Sequence, residues 1–456
     1  MSDPSRAQVF RFGERRYDPA TGRVSLEYAF ERGEPLVETL VFPWTPWPEQ
    51  AERQEAFAEA LALLHLVAGV SYWKAALPPE IDPGGHRIDA SLARFLDTTW
   101  TLGLGEFAHV NGLDLGERIR FPVTEAANDA DVAAAAYGSA PHPLALPERA
   151  LVAMGGGKDS LVSLEVLRRG GIEVLPATVG ASTLIGDTVR AAGLPLLRVE
   201  RRLAPRLAEM NAAGAWNGHV PVTAINMAIL TCAALLYGYR WLVFSNERSA
   251  EEATLVDAAG RPVNHQYSKS LAFERDFRSV VADRVAPDLE VFSLLRPLGE
   301  AAVAHRFSEL EVYHPVFSSC NRNFHLDGAR VAGRWCGDCP KCRFTTLALA
   351  PWMTPERVEA IIGRNLLADP EQATGFRALC GLDEDKPFEC VGTLEESRAL
   401  LATLADRPGW RDLPVVQELA PCLVGAGEPE TLRLETLLEP DGPHCIPGAV
   451  LERVRL

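Results

Sequence analysis

From residue 149 onward, short apolar runs alternate with amphipathic segments, and this alternation restricts the fold more than any other feature of the sequence. Apolar runs at 172–179, 194–200 and 241–246 read as buried strands, since each has the length of a strand and ends at turn residues. Segments of helical periodicity separate them. Repeated strand–helix–strand units predict an α/β protein with a doubly wound parallel sheet. Ligands of such sheets bind beyond the carboxyl ends of the strands.

The first strand of this region runs directly into a glycine-rich loop, LVAMGGGKDS at 151–160. Gly155, Gly156 and Gly157 allow the backbone N–H groups to point into one concavity, which is an anion-binding arrangement. The residues that follow have helical periodicity and end at a glycine. A strand, a glycine loop and a helix N-terminus together suit a phosphate. A glycine-rich turn without a ligand is the alternative.

This loop differs from two common phosphate-binding motifs. A Walker loop requires Ser or Thr after its Gly-Lys pair, but Asp159 follows Lys158. A dinucleotide fingerprint that started at Gly155 would need a glycine where Ser160 stands. The stretch instead resembles the loop of the N-type ATP pyrophosphatases, usually Ser-Gly-Gly-x-Asp-Ser, with Gly155 in place of the first serine.

N-type ATP pyrophosphatases cleave ATP to AMP and pyrophosphate, and they commonly activate a carboxylate as an acyl-adenylate. The resemblance implies an adenine nucleotide alpha hydrolase-like sheet and a requirement for ATP and Mg²⁺. It also implies that Asp159 lies near the magnesium ion, because magnesium bridges phosphates and keeps few protein ligands. The residues expected to hold the ATP phosphates are Gly155, Gly156, Gly157, Lys158 and Ser160.

Four of the nine cysteines are concentrated in one short region. Cys320 precedes the segment CGDCPKC, which contains Cys336, Cys339 and Cys342. Four thiolates with this spacing suit tetrahedral zinc at a structural site, and the arrangement resembles that of the queuosine-pathway enzyme that makes preQ0. In the alternative interpretation Cys320 is an acid–base group with a lowered pKa. The two roles compete for the same thiol.

Three further stretches sharpen the resemblance to one family: FSNERSAEEATL at 244–255, VNHQYSKSLAFE at 263–274 and RWCGDCPKCRFTTLALAP at 334–351. With the glycine loop they resemble the MurL-type UDP-N-acetylmuramoyl-L-alanyl-L-glutamate epimerases, and SYWKAALPPEI at 71–81 is also similar to that family. The resemblance implies ATP-dependent inversion of the terminal glutamate of a peptidoglycan precursor. Its partners would be ATP and a UDP-sugar peptide.

The segment HQYSKS contains candidate groups for proton transfer. His265 and Lys269 are four residues apart, so a helix would place them on one face. Together with Tyr267 they are candidates for proton transfer or carboxylate binding, and His265 is the most natural base because histidine titrates near neutrality. A solvent-exposed polar segment is the alternative.

Polar residues after the fourth strand are candidates for contact with the nucleotide or adenylate. These residues are Ser245, Asn246 and Glu247, and an ordinary strand-end turn is the alternative. His219 and Asn226 are weaker candidates near the start of a long apolar helix.

Lysine is rare beside arginine, with five lysines among 45 basic residues. Because the two are not interchangeable, a retained lysine can mark a position that needs a compact ammonium group. The five are Lys74, Lys158, Lys269, Lys341 and Lys386.

The rest of the chain differs from the alternating region. Alternating segments before residue 42 predict antiparallel strands, and helical stretches follow at 49–71 and 92–108. A Pro-rich segment before 148 indicates a boundary there. The predicted units are an N-terminal α+β domain at 1–148 that binds substrate, a pyrophosphatase-like domain at 149–350 that includes the cysteine site, and a mainly helical region at 351–456.

Charge and hydropathy exclude several classes of protein. A net charge of −16 argues against nonspecific binding to nucleic acid, which requires basic surfaces. No uninterrupted apolar run approaches the roughly 20 residues of a membrane span. The N-terminal sequence MSDPSRAQVF lacks an apolar signal core, so a cytoplasmic protein is expected.

Two other functions are compatible with the same motifs. An adenylating ligase or amidotransferase would pass the adenylate to an amine, a sulfur donor or ammonia, as the similarity to the queuosine pathway suggests. A nucleotide-binding module would hold ATP without turning it over, although the intact Asp159 and Ser160 argue against this.

Overall fold

The computed structural model describes residues 7–31, 33–43, 47–124, 141–252, 255–256, 262–263, 266–323, 331, 333–382, 386–387, 389, 391–423 and 433–456. A nine-stranded sheet crosses the molecule in the order β11-β8-β5-β6-β7-β3-β2-β1-β4, and β9 and β10 pair separately. In chain order the strands are β1 (Val9–Asp18), β2 (Arg23–Phe30), β3 (Leu36–Val41), β4 (Glu80–Asp82), β5 (Arg149–Ala153), β6 (Glu173–Val179), β7 (Leu197–Arg202), β8 (Trp241–Phe244), β9 (Leu255–Val256), β10 (Pro262–Val263) and β11 (Glu290–Ser293).

The half of the sheet formed by β11, β8, β5, β6 and β7 is parallel. Its first strand in sequence, β5, lies in the middle, where Leu151 pairs with Leu175 of β6 on one side and Leu242 of β8 on the other. From β5 the sheet continues to β6 and β7 on one side and to β8 and β11 on the other. A crevice is expected at the carboxyl end of β5, where the strand order reverses in this way. The predicted α/β class and parallel sheet are therefore confirmed.

The N-terminal strands continue the same sheet in antiparallel pairing. β1, β2 and β3 form successive hairpins, and β3 pairs with β7 so that Thr39 faces Arg202 and Val41 faces Glu200. In the turn after Asp18, Gly22 has φ +67°, and a Cβ atom there would collide with the carbonyl oxygen of Phe42. One sheet thus crosses the boundary expected near 148, and the division into domains stays a prediction.

Helices cover both faces of this sheet. They are α1 (Ala51–Ala68), α2 (Val70–Trp73), α3 (Ala90–Gly103), α4 (Gly105–Asn111), α5 (Lys158–Arg169), α6 (Thr183–Ala191), α7 (Pro205–Ala212), α8 (Val222–Tyr237), α9 (Leu271–Arg284), α10 (Glu300–Ser308), α11 (Pro340–Leu349), α12 (Pro355–Ile362), α13 (Ala373–Cys380), α14 (Leu394–Ala405), α15 (Pro414–Leu419) and α16 (Gly448–Leu451).

Two apolar cores lie on the two faces of the sheet. One contains α1, α8 and α9 with the N-terminal strands, and the other contains α5, α10 and the helices of the C-terminal region. The segment Ala51–Trp73 is long and apolar enough to cross a membrane, but 89% of its most apolar window is buried inside the protein. It therefore serves as a core helix, since an all-round apolar helix of a globular protein is buried.

Candidate functional site

The glycine loop joins β5 to α5 and lies at the carboxyl end of the central strand. Gly156 has φ +81°, which favours glycine. A Cβ atom on Gly157 would lie 2.9 Å from the Ser319 hydroxyl oxygen, so a side chain would require that neighbour to move. The Ser318 N–H donates to the carbonyl oxygen of Gly156 at 3.2 Å. The positive φ at Gly156 and the close approach of Ser319 at Gly157 thus favour glycine at these two positions, whereas a Cβ atom on Gly155 would meet nothing within 4 Å.

Ser160 fixes the other side of the loop. Its hydroxyl donates to the carbonyl oxygen of Gly157 at 3.3 Å and accepts from the N–H of Gly155 at 3.4 Å. α5 begins at Lys158, so the N–H groups of its first turn lack helical partners and face the loop. A glycine loop thus directly precedes a helix N-terminus, an arrangement that suits an anion, and phosphate binding by it stays a prediction.

Lys158 does not extend into solvent from this loop. Its ammonium group donates to Asp159 Oδ1 at 2.5 Å and to Glu300 Oε2 at the start of α10. Lys158 and Glu300 are 4% and 2% exposed. Burial opposes the charge on Lys158, but the two carboxylates outweigh it and raise its pKa. The lysine therefore holds the Asp159 side chain in place and compensates the charge of the buried Glu300.

Three of the five lysines surround Asp159. Burial alone would raise the pKa of Asp159, but the charges of Lys158, Lys341 and Lys269 together lower it. Lys269 was predicted as a site residue, whereas Lys341 was only noted as a retained lysine. The arrangement keeps Asp159 ionised, as a metal-binding carboxylate must be.

Burial raises the pKa of both Glu247 and Glu300 above the ordinary value of a glutamate. Burial, followed by the charges of Glu300, Glu396 and Asp159, raises the pKa of Glu247 to about 8. Burial also raises the pKa of Glu300, despite the attraction of Lys158. Acids therefore exceed the cations that contact them, and an additional positive charge would be bound favourably here.

Ser245 and Asn246 lie beyond the carboxyl end of β8, beside the glycine loop. The Ser245 hydroxyl donates to Ser163 Oγ of α5 at 2.7 Å. The Asn246 amide donates to Ser293 Oγ, at the end of β11, at 3.0 Å. Both side chains are half-buried. Protein partners thus hold them at the crevice predicted from the strand order.

The described part of HQYSKS forms a 3₁₀ turn, Tyr267–Lys269, rather than an α-helix. Tyr267 is buried against Phe273, and burial raises the pKa of its hydroxyl to about 12. His265 lies outside the described residues, so its distance from Lys269 stays undetermined.

Arg296, which the sequence analysis missed, joins this turn to the segment that follows β8. Its guanidinium donates to the carbonyl oxygen of Lys269 at 2.5 Å and to that of Glu247 at 3.1 Å. It also forms a buried ion pair with Glu274 at 3.1 Å. A single arginine in an arginine-rich sequence carries no local signal of such a role.

Glu396 brings the C-terminal region into the site. From the first turn of α14 it accepts from the Ser249 hydroxyl at 2.5 Å and from the N–H of Ala301 at 3.0 Å. Ser249 in turn accepts from the N–H of Glu300 at 3.1 Å. The sequence signal at this position is the capping box of Thr393 and Glu396, which indicates a helix start but no function.

The four predicted cysteines converge, and their sulfur atoms all lie within 4.8 Å of one another. Cys339 Sγ is 4.0 Å from Cys320 Sγ and 3.5 Å from Cys342 Sγ, and Cys336 Sγ is 3.7 Å from Cys342 Sγ. Zinc–sulfur bonds of about 2.3 Å in a tetrahedron give sulfur separations of about 3.8 Å. The cluster therefore has the size of a tetrahedral zinc site.

The cysteine cluster also borders the glycine loop. Cys320 directly follows Ser318 and Ser319, which contact Gly156 and Gly157. Lys341, whose charge acts on Asp159, lies between Cys339 and Cys342. A metal ion held by the four thiolates would fix both segments beside the loop.

The remaining predicted candidates lie at the start of α8. His219 Nδ1 is 3.3 Å from Glu106 Oε2 of α4, and Asn226 lies in the second turn of α8. Neither residue contacts the glycine loop among the described hydrogen bonds and ion pairs.

Comparisons with known proteins identify a single family along most of the chain. The model of the MurL N-terminal domain matches residues 1–294, and that of the MurL C-terminal domain matches 316–431. A UDP-N-acetyl-alpha-D-muramoyl-L-alanyl-L-glutamate epimerase of Xanthomonas oryzae pv. oryzae is 48% identical over 99% of this chain and 98% of its own length. Proteins of the same name from Salinispora tropica and a Micromonospora species are 39% and 40% identical, covering 97% of this chain and 94% and 96% of their own lengths.

Proposed function

Since this chain belongs to the MurL family, we propose that it inverts the terminal L-glutamate of UDP-N-acetyl-α-D-muramoyl-L-alanyl-L-glutamate in an ATP-dependent reaction. The observation that carries the activity is 48% identity to a protein of that name over 99% of the chain. The observation that supports ATP use is the glycine loop at the start of α5, with Asp159 set among three lysines. The site thereby supports a pyrophosphatase-type reaction in an adenine nucleotide alpha hydrolase-like sheet.

The proposed phosphate contacts are the N–H groups of Gly156 and Gly157 and of the first turn of α5, while the N–H of Gly155 donates to the Ser160 hydroxyl. Ser160 closes the loop and orients these groups. Asp159 would hold Mg²⁺ together with phosphate oxygens, since magnesium commonly takes one or two carboxylates plus phosphates. The excess of acids around Lys158 favours such a cation.

Adenylation makes inversion of a peptidyl glutamate feasible. The α-carboxylate of the terminal glutamate attacks the α-phosphorus of ATP, and pyrophosphate leaves with the electrons of the broken P–O bond. In the resulting acyl-adenylate the α-carboxyl group no longer carries a charge, so the α-carbon can lose a proton and its electrons are accepted by the adjacent carbonyl group. A proton returns to the opposite face, and water then releases AMP and the D-glutamyl product.

Proton transfer is assigned to the segment before α9. His265 is the proposed base, for which acid–base catalysis contributes roughly 10²–10⁴-fold. Lys269 is proposed to bind the glutamyl carboxyl group or the adenylate, because its charge reaches Asp159 in the same crevice. Tyr267 is a donor at neutral pH, since its hydroxyl has a raised pKa. Ser245, Asn246 and Glu247 are proposed to line the nucleotide side of the crevice.

We assign structural zinc to Cys320, Cys336, Cys339 and Cys342. The cluster geometry favours a ligand role for Cys320 over an acid–base role, since its sulfur lies 4.0 Å from that of Cys339 and it is fully buried. The N-terminal region at 1–148 is proposed to bind the UDP-sugar peptide. The proposed location is the cytoplasm, where ATP and nucleotide-linked precursors are available.

The reaction is tested with the purified protein, ATP, Mg²⁺ and the L-glutamyl substrate in D₂O. We expect pyrophosphate release, D-glutamate after hydrolysis of the product, and deuterium at the α-carbon only when ATP is present. His265→Ala should retain some pyrophosphate release while losing exchange, because activation precedes proton removal. A product of higher mass would instead indicate a ligase, and the absence of pyrophosphate would indicate a binding module.

A further inference from the structure

Lys74 is a buried cation without an acidic partner in the described part of the chain. It follows α2 and is 4% exposed. Its ammonium group donates to Asn217 Oδ1 at 3.1 Å and to the carbonyl oxygen of Trp216 at 3.5 Å. Both acceptors are neutral, so the desolvation of the charge is only partly offset. Burial accordingly lowers the pKa of Lys74 to about 8.

Two other lysines differ from Lys74 because each contacts a carboxylate. Lys158 contacts Asp159 and Glu300, and Lys386 contacts Glu252. A cation that is retained at a buried position without a counter-ion destabilises the fold, so its presence needs another reason.

Lys74 lies at the same edge of the sheet as the glycine loop. α8 leads into β8, and a crossover helix runs opposite to the strand it precedes, so the start of α8 lies at the carboxyl edge. The loop that contains Trp216 and Asn217 leads into this helix start, and the N–H of Trp216 donates to the carbonyl oxygen of Ala75 at 3.1 Å. The turn Tyr267–Lys269 packs on α3 and α8. The loop that contacts Lys74 leads into α8, and the turn Tyr267–Lys269 packs on the same helix.

Aromatic and polar groups surround the ammonium group. Trp216 is 37% exposed and meets the ring of Phe107 edge to face, with centroids 6.4 Å apart. The Lys74 ammonium is 6.0 Å from the centroid of Phe107. His219 and Glu106 pair at 3.3 Å in the same two segments, 216–221 and α4. A buried ammonium group beside an exposed aromatic ring suits a ligand that has both an anionic group and an apolar or ring-shaped body.

We propose that Lys74 and Asn217 form a subsite that binds an anionic oxygen group of the substrate, a carboxylate or a phosphate, beside the exposed Trp216 ring. The assignment rests on the proposed function, because a UDP-sugar peptide carries both kinds of anion. A charge-assisted hydrogen bond to the ligand compensates the buried ammonium group only in the complex. The subsite therefore costs stability in the free protein and contributes to affinity.

The test compares Lys74→Met with the matched variant Lys386→Met, which removes a lysine that already has a carboxylate partner. We expect Lys74→Met to raise the KM for the UDP-sugar peptide about 10- to 100-fold. Its melting temperature without substrate should equal or exceed that of the wild type. Lys386→Met should show the opposite pattern, with lower stability and an unchanged KM. A lower melting temperature and an unchanged KM for Lys74→Met would overturn the subsite.

Calorimetric titration with UDP and with L-alanyl-L-glutamate identifies the anion. If Lys74→Met weakens the binding of UDP but not that of the dipeptide, the anion is a phosphate. If it weakens the binding of the dipeptide but not that of UDP, the anion is a carboxylate. If the mutation changes neither affinity nor KM, the subsite is wrong while the epimerase proposal stands. If the wild type binds UDP or the dipeptide through Lys74 but does not invert the substrate, the proposed function fails and the subsite stands. If it neither binds these probes nor inverts the substrate, both proposals fail.

Discussion

Replacing Lys158 by methionine removes the cation that two carboxylates share while keeping the buried aliphatic chain. In the wild type the ammonium group contacts Asp159 and Glu300, whose side chains are 32% and 3% exposed. In Lys158→Met the partly exposed Asp159 is still solvated, but Glu300 becomes a buried acid that has lost its contact with Lys158 and is still subject to the charge of Lys341. Glu300 can relieve this by keeping its proton.

The cost of this change depends on pH, and its sign follows from proton linkage. Burial already raises the pKa of Glu300 above its ordinary 4.5, and loss of Lys158 raises it further. The folded state then keeps a proton that the unfolded state releases, so stability falls as pH rises from about 4.5 toward the raised pKa. Breaking a buried pair costs about 3–5 kcal/mol, and we expect the lower end, about 3 kcal/mol, since Asp159 is partly solvated. The deficit should be small at pH 5 and reach this value near pH 8.

Urea denaturation from pH 5 to pH 8 measures this difference. Glu247 also has a raised pKa of about 8, so both proteins lose stability with pH, and only the difference between them tests the reasoning. The control is Lys158→Met/Glu300→Gln, which should recover most of the loss at pH 8, because the buried acid that lost its cation is then replaced by a neutral amide. An equal deficit for Lys158→Met at pH 5 and pH 8, or no recovery in the double variant, would refute the role assigned to this pair.

Three further predictions concern the metal sites and a buried histidine pair. Asp159→Asn should abolish ATP-dependent inversion and pyrophosphate release with little change in melting temperature, because Lys158 keeps Glu300 as a partner; near-normal turnover would reject the magnesium assignment. Purified protein should contain about one zinc per chain, and Cys320→Ser should lower both zinc content and thermal stability; elemental analysis without zinc under reducing, chelator-free conditions would contradict the cluster. His65 and His86 lie 2.9 Å apart, and burial first, with Arg15 also acting, lowers their pKa values to about 4 and about 2. As the pH falls below the ordinary histidine pKa of 6.5, the unfolded state binds protons before the folded state does, so the free energy of unfolding decreases. His86→Gln should therefore lose less stability between pH 7 and pH 5 than the wild type. An equal decrease in the urea midpoints of the two proteins would show that the pair does not govern acid sensitivity.

The features that the sequence predicted are those with local chemical signatures. The glycine loop follows from three consecutive residues without side chains, and the cysteine cluster follows from two C-x-x-C steps and one upstream thiol. The parallel strands follow from apolar runs of strand length. In each case a few neighbouring residues determine the structure, so one sequence suffices.

The features that it missed depend on contacts between distant segments. Glu300 contacts Lys158 across 142 positions, and Glu396 reaches Ser249 across 147. An acidic residue in the first turn of a helix is ordinary, because it interacts favourably with the helix dipole, and nothing local distinguishes Glu300 or Glu396 from other such residues. The pairing of β3 with β7 is equally nonlocal. The sequence therefore predicts the local elements of the candidate site better than the long-range contacts that join them.

The position of the cysteine cluster gives structural zinc a consequence for ATP binding. Ser318 and Ser319 hold the backbone of Gly156 and Gly157, and Cys320 is the next residue. Loss of the metal would release Cys320 and with it the segment against which the loop packs. It would also release Cys339 and Cys342, the two cysteines that flank Lys341. Because a preorganised loop binds phosphates without a further ordering cost, loss of the proposed metal should weaken the proposed ATP binding. We therefore expect the cluster to act on the reaction through the geometry of the loop and the charge beside Asp159.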